Sequence, residues 1–581
     1  MRDNGPLTKN NFFLAISFFL LTSTAFANEK TIKTFDDVPQ SHWAYEAIHE
    51  LRSLHITDGM GNNHFGLGQT IKRSEFVAFL VKLMQWEIIT PEQGSFADNK
   101  DRSRWYYGPI ETALHHGVIL KDQDRFRPEE PITREEMAIM IVRTLGYNSL
   151  ANQITYLGSP FDDISQNIGY ITIARDFGII TGVGNNLFKP YDTARREEAA
   201  LMMMRMYNKL NKPLPELHAF YAIRSAHQAS MIPDLTSVGF GWSRLEYDPE
   251  KGQVILNTTR KNNNEFAIPI GFPQPLNRAK ENQVATKLMV FASNHSRVEK
   301  ANQSNEPLLE YILTRPEVRQ QVIQSIVSQL HSTAEGIPLA FDGVVIDFED
   351  MKGDQLKESF NRFLKELKEE LDQSDASLYV AVHPARRAGQ AYYDGYDFKS
   401  IGQIADRVIL MAHDYYAKQL TNIEMQSGYT LTPVTPIDEV YYAIKAITDQ
   451  DKGIEDRSKI YLQLSFDAVQ WKLQDGKIIN RVPYSPSYEA IQQRLSMDGV
   501  TMNYSDRYQN PYATFFDPRD NSYNIIWYED SRSIEAKIKL AKMFDLQGLS
   551  LWRLGNVPDY QEEGTKKLYL DVWQHLLRHT K

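Results

Sequence analysis

From residue 217 onward, short β-branched runs alternate with amphipathic helical segments, and this alternation restricts the fold more than any other feature of the chain. Eight strand-like runs are legible: His218–Ile223, Ser237–Trp242, Thr286–Ser293, Gly343–Glu349, Leu378–His383, Arg407–His413, Lys459–Ser465 and Gly548–Trp552. Helical spacing is clear over Pro316–Leu330, Gln355–Leu371 and Ile534–Phe544. A parallel sheet follows from strands separated by helices, and eight such units predict a (β/α)8 TIM barrel over residues 217–581. The long interval at about 470–528, rich in tyrosine and proline, predicts a small α+β insertion beside the cleft.

The fourth run, Phe341 to Asp350, reads FDGVVIDFED. Its apolar stretch suits a strand buried on both faces, and its acids gather at the C-terminal end, where a barrel carries its chemistry. Alternate side chains share a face of a strand, so Asp347 and Glu349 point the same way, with Val345 before them. Buried carboxylates are costly unless paired or used. A buried Glu349 beside a second carboxylate should have a raised pKa and fit the role of a general acid.

At 581 residues the chain is too long for one core, and two to four domains are expected. A net charge of −10 without a basic tract argues against nucleic acid as a partner. Arg2 and Lys9, the apolar run Phe12 to Leu21, and the small-x-small site Ala25-Phe26-Ala27 predict a cleaved signal peptide over 1–27. No later run approaches the roughly 20 apolar residues of a membrane span, so the mature chain is expected to have no transmembrane segment. With no cysteine, an exported chain of this kind fits the surface of a Gram-positive-type bacterium. The histidines are scattered without metal-ligand spacing, so neither a metal nor a cofactor is expected.

Between residues 35 and 208 the chain repeats itself three times. Phe35-Asp36-Asp37, Phe96-Ala97-Asp98 and Phe161-Asp162-Asp163 open the units, assigned to 35–90, 95–150 and 160–208. Each continues with a helical pattern, then Phe65, Phe126 or Phe188, and eight residues later Arg73, Arg134 or Arg196. Glu75, Glu136 and Glu198 follow two residues after each arginine, at the start of a second amphipathic helix. Thr133-Arg134-Glu135-Glu136 is also a capping box. This triplet resembles the S-layer homology domains, an α-helical family that anchors proteins to secondary cell-wall polysaccharide. The resemblance implies that the three arginines, with Glu75, Glu136 and Glu198, serve an acidic sugar, and it implies attachment to the cell wall or S-layer. Residues 209–216, with two prolines, read as a linker.

The string FDGVVIDFED resembles the catalytic strand of glycoside hydrolase family 18, D-G-x-D-x-D-x-E. Met411-Ala412-His413-Asp414 stands where that family has Met-x-Tyr-Asp, and Leu551-Trp552-Arg553 where its last strand supplies a tryptophan. Ile526-Trp527-Tyr528-Glu529-Asp530, a helix and then GLSLWRLG are similar to the spore-cortex and peptidoglycan glucosaminidase branch. The resemblance implies a hydrolase of β-1,4-linked N-acetylglucosamine glycans, most naturally peptidoglycan. In it Glu349 is the acid, Asp347 holds the substrate acetamide, and the acetamide oxygen is the nucleophile. Asp342, His413, Asp414 and Trp552 are the implied substrate contacts. Two positions depart from the pattern: Val345 replaces its middle aspartate and His413 its tyrosine. Two other readings stand beside the enzyme: a weakly active barrel that binds peptidoglycan or chitin, and a surface protein whose anchoring repeats are its main role.

Overall fold

The computed structural model describes residues 34–299, 305–387, 390, 392–561 and 566–580, so the expected signal peptide lies outside the described residues. Eight parallel strands close on themselves: β1 (Glu216–Tyr221), β2 (Ser237–Asp248), β3 (Ala285–Ser293), β4 (Gly343–Glu349), β5 (Ser377–Val382), β6 (Arg407–Leu410), β7 (Ile460–Ser465) and β8 (Gly548–Trp552). Each pairs with its neighbour in chain order, and β8 returns to β1 with Glu216 opposite Gly548, so the sheet has no free edge between them. An antiparallel strand, Gln253–Asn257, extends β2 outside the ring. The run from Arg407 ends as a strand at Leu410 rather than at His413, because the Ala412 and His413 N–H groups donate back to the carbonyls of Leu410 and Met411.

In β4 the alternation is strict. Val344, Ile346 and Phe348 join the outer core, where Phe348 stacks on Phe360 and Phe363 of α7 (Asp354–Asp372), while Val345 faces the lumen. Between β7 and β8 lies a five-stranded antiparallel sheet with one helix, Tyr488–Leu495; its strands run from Val469 to Trp527. Trp471 and Trp527 are buried in its own apolar cluster.

The three repeats pack as a closed ring. Their second helices are α2 (Arg73–Leu83), α4 (Arg134–Thr144) and α6 (Arg196–Asn211), preceded by α1 (Tyr45–Ser53), α3 (Tyr107–His115) and α5 (Ile168–Asp176) in the respective units. The Ile71 N–H donates to Ala194, that of Ala194 to Ile132, and that of Ile132 to Ile71, at 2.9–3.1 Å. The opening aspartates explain the Phe-x-Asp signature: Asp37, Asp98 and Asp163 each accept backbone N–H groups from the loop that starts at Phe65, Phe126 or Phe188.

The arginines close the same ring. Arg73 pairs with Glu136 and donates to the Phe126 carbonyl; Arg134 pairs with Glu198 and Phe188; Arg196 pairs with Glu75 and Phe65. Each guanidinium is therefore held by a carboxylate of the next repeat. Each glutamate also accepts from the backbone N–H at its own helix start, at Lys72, Thr133 and Arg195.

The linker expectation also changes, since α6 runs through 209–211 and Leu214 is buried. The repeats rest directly on the barrel: Tyr147 donates to the Ala536 carbonyl, and Asp176 accepts from Tyr441 and Lys445. Arg196 is only 2% exposed, so removing it strands Glu75 and a carbonyl. Arg196→Ala is expected to destabilise the chain by about 3 kcal/mol in denaturant unfolding, the range for breaking a buried pair, whereas Lys189→Ala, whose exposed pair is 3.8 Å long, should change little.

Candidate active site

All the chemistry-bearing residues follow the C-terminal ends of barrel strands, since that is where each buried run gives way to a loop. Asp347 and Glu349 end β4, with Asp350 next; His383 follows β5, His413 and Asp414 follow β6, Asp467 follows β7, and Trp552 ends β8. Asp347 is 3% exposed and Glu349 half-buried. Below them Val345 lies in an apolar layer with Met289, Ile409, Ala381 and Phe220. That layer accounts for the missing aspartate: Val345 is part of a hydrocarbon floor that keeps water from the underside of Asp347.

The electrostatics follow from this floor. Burial pushes the Asp347 carboxyl up to about 7, with Asp350 adding to the rise and His413 opposing it. Burial also raises Glu349 well above the ordinary carboxylic range, reinforced by Asp347, Asp350 and Asp414. Asp414 behaves oppositely: burial favours its neutral form, but His413 and Lys418 outweigh it and hold the carboxyl well below its usual range. For His413, burial is again the largest influence and lowers the pKa, yet Asp414, Gln463 and Asp467 together raise it. Burial drops His383 to about 4, so it stays neutral. Environments that push neighbouring titratable groups apart in this way are the usual basis of acid and base roles.

His413 Nε2 lies 2.6 Å from Gln463 Oε1 and donates to it, which leaves Nδ1 as the ring's unused atom. Nδ1 is 3.7 Å from Asp414, an ion-pair distance beyond a hydrogen bond. His413 Nδ1, Asp347 Oδ1 and Asp414 Oδ1 are all buried and have no hydrogen-bond partner among the described residues. Leaving such atoms unpaired costs on the order of 1–3 kcal/mol each, so these three offer polar positions to whatever enters the mouth. Trp552 packs edge-on against Phe220, 5.2 Å between ring centroids, and stays partly exposed at the mouth.

One expected substrate contact is corrected. Asp342 precedes β4 at the opposite end, roughly 20 Å from Glu349 at the rise of a strand. Its carboxylate accepts from the Thr286 N–H at 2.7 Å and the Thr286 hydroxyl at 2.9 Å, so it ties β3 to β4 and does not reach the mouth. Other residues went unassigned in the sequence reading. Asp350 accepts from Ser293 and lies 2.9 Å from His295 Nδ1; Asp467 lies 3.4 Å from the Tyr416 hydroxyl. Their signal was position alone, just past the end of a strand. Ligand atoms of Glu349, Asp350 and His383 fall within 4.8 Å of one another, as do those of Glu535, His575 and His579, so the described residues contain two groupings able to face a cation.

Comparison with known proteins assigns this geometry. The model of glycosyl hydrolases family 18 matches residues 275–556, and that of the S-layer homology domain matches 34–77, 95–138 and 160–200. The chain carries a family 18 glycosyl hydrolase domain behind three S-layer homology domains. It is 26% identical over 285 residues to the cortical fragment-lytic enzyme of Bacillus subtilis (strain 168), covering 46% of this chain and 57% of that protein. It is 32% identical over 183 residues to the amylopullulanase of Thermoanaerobacterium thermosulfurigenes, covering 30% of this chain and 10% of that one. The chain thus spans about half or less of the curated relatives it matches. Among solved structures, the spore cortex-lytic enzyme SleL of Bacillus cereus aligns with a TM-score of 0.48 and 20% identity, over 63% of this chain and 74% of that one.

A carboxyl whose folded pKa is raised opposes folding in its charged form. The contribution of Asp347 to stability is therefore fully present below the unfolded Asp value near 4 and is lost as pH rises through the folded value of about 7. Asp347→Asn removes this loss. The melting temperature of Asp347→Asn relative to wild type is expected to rise between pH 4 and pH 8, as thermal unfolding at both pH values would record.

Proposed function

We propose that the chain is a wall-attached glycosidase that cleaves β-1,4 bonds of N-acetylglucosamine-containing glycans, with peptidoglycan as its substrate. The observation that carries this reading is the Asp347–Glu349 pair above an apolar floor, with Asp347 Oδ1 and His413 Nδ1 buried and unpartnered beside it. A glycan acetamide offers one N–H donor and one carbonyl acceptor, the complement of such atoms. The match to cortical fragment-lytic enzymes and the three anchoring repeats favour peptidoglycan over chitin.

In the proposed reaction Glu349 keeps its proton because burial and three neighbouring carboxylates raise its pKa, and it delivers that proton to the glycosidic oxygen as the C1–O bond breaks. The acetamide carbonyl oxygen of the same sugar closes on C1, forming an oxazolinium ion. Asp347 accepts the acetamide N–H and offsets the positive charge. Water then opens the ring at C1, giving its proton to the Glu349 carboxylate, and the anomeric configuration is retained. His413, charged with the help of Asp414, provides Nδ1–H to the acetamide oxygen; it takes the place of a tyrosine hydroxyl. Trp552 supports the apolar face of the sugar. The anchoring repeats would hold the barrel at the secondary polysaccharide of an exported protein's own cell wall.

Glu349→Gln should lower kcat on purified peptidoglycan by at least about 100-fold, the lower bound for losing a general acid. Mass analysis of the muropeptides checks this and the bond together: wild type should release new N-acetylglucosamine reducing ends. Equal release by wild type and Glu349→Gln would refute the hydrolase reading and leave the binding role.

A further inference from the structure

Many of the arginines withdrawn from water in this molecule have a carboxylate on them. Arg73, Arg134 and Arg196 in the repeats, and Arg319, Arg387, Arg407 and Arg532 in the barrel, all make ion pairs. The corner of the barrel mouth beside Trp552 breaks this pattern. Arg553 follows Trp552 directly and is half-buried; Arg224 lies three residues past β1, and Arg260 three residues past the strand Gln253–Asn257. None of these three guanidiniums makes an ion pair or a hydrogen bond among the described residues. The charges acting on Arg553 are Asp467, Arg224 and Glu265, and neither acid is within pairing distance of it.

The corner is also fixed in place. The Leu554 N–H donates to the Phe220 carbonyl at 3.0 Å, and Ser225 Oγ sits between the carbonyls of Ala222 and Leu554. Gly555 has φ +91°, and a Cβ there would come 2.6 Å from the Arg224 carbonyl, so the two arginine-bearing loops lie in direct contact. Beside them opens a cavity of about 590 Å³ lined by Ile223, Arg224, Trp242, Arg260, Asn263 and Glu265. It meets the sugar platform through Phe220 and Ala222, which share the lumen cluster that Trp552 packs against. Arg224 and Arg260 line this cavity and Arg553 lies near enough to Arg224 to feel its charge; guanidiniums without an internal ion-pair partner suit a planar carboxylate brought by a ligand.

We propose that Arg224, Arg260 and Arg553 form a carboxylate-binding subsite, by which the barrel selects glycans bearing an acid next to the scissile bond over neutral ones. The proposal rests on the glycan-hydrolase reading above and adds to it a substrate class. A carboxylate at that place has two sources: the lactyl ether of N-acetylmuramic acid where the peptide has been removed, or a free carboxylate of the peptide branch where it has not. Chitin has neither.

The test uses the full chain carrying Glu349→Gln, so that glycans bind without being cut. Its Kd is measured for three probes of equal length: neutral chitooligosaccharide, peptide-free peptidoglycan strands and peptide-bearing strands. At least one acidic probe should bind about tenfold tighter than the neutral one at low salt, with the ratio falling as salt rises. Adding Arg224→Gln and Arg260→Gln, both at exposed positions, should bring that ratio to roughly one. Preference for peptide-free strands assigns the sugar's own acid, and preference for peptide-bearing strands assigns the branch. If glycans bind but the ratio is near one, or is unchanged in the double variant, the subsite is wrong while the hydrolase reading stands. If no probe binds, both fall.

Discussion

Desolvation of two carboxyls at the end of one strand is the physical term on which the candidate site depends. Val345, Met289, Ile409 and Ala381 fill the lumen beneath Asp347 as an apolar cluster. In such surroundings a carboxylate is expensive and a carboxylic acid is not, so the floor determines protonation as much as the acids do. The aspartate that the family pattern would place at 345 is replaced by a side chain that adds to the floor. The sharing of a proton between stacked aspartates is thereby exchanged for burial, the largest influence raising Asp347 to about 7. His413 and the well-ionised Asp414 supply the opposing charge across the mouth.

The anchoring repeats solve a different electrostatic problem with the same residue types. Each buried guanidinium of the triplet is met by a glutamate and a carbonyl of the next repeat, which closes a ring that no single repeat could form. Three copies are therefore a structural unit, consistent with the way repeat modules bury their faces against neighbours. Because Asp176 and Tyr147 bond directly to barrel helices, the ring and the barrel form one continuous packed body rather than beads on a linker. The mouth arginines differ in that none of them makes an ion pair among the described residues.

The fold was legible because period and position were redundant: all eight strands read from β-branched runs appear in the barrel, and the motif FDGVVIDFED falls on β4 with Asp347, Glu349 and Asp350 at its C-terminal end. What stayed hidden depends on contacts between segments distant in sequence. Arg196 and Glu75 are 121 residues apart, so a sequence pattern could show that each recurs but not that they hold one another. Asp342 was misplaced for a related reason: the motif names it, while its partner Thr286 lies on another strand at the far end of the barrel. Asp350 and Asp467 carried no motif beyond standing after a strand, and the tie of His413 to Gln463 required the closed barrel to bring β6 and β7 together.

In the proposed reaction the substrate's acetamide, positioned by Asp347, performs the first displacement while Glu349 protonates the leaving glycosidic oxygen. The most direct measurement is the proton NMR spectrum of the reducing-end anomer in the first moments of hydrolysis, before mutarotation. Retention, seen as initial accumulation of the β-anomer, is the predicted result. Initial accumulation of the α-anomer would mean direct attack by water, and would contradict the assignment of Asp347 and of the apolar floor beneath it.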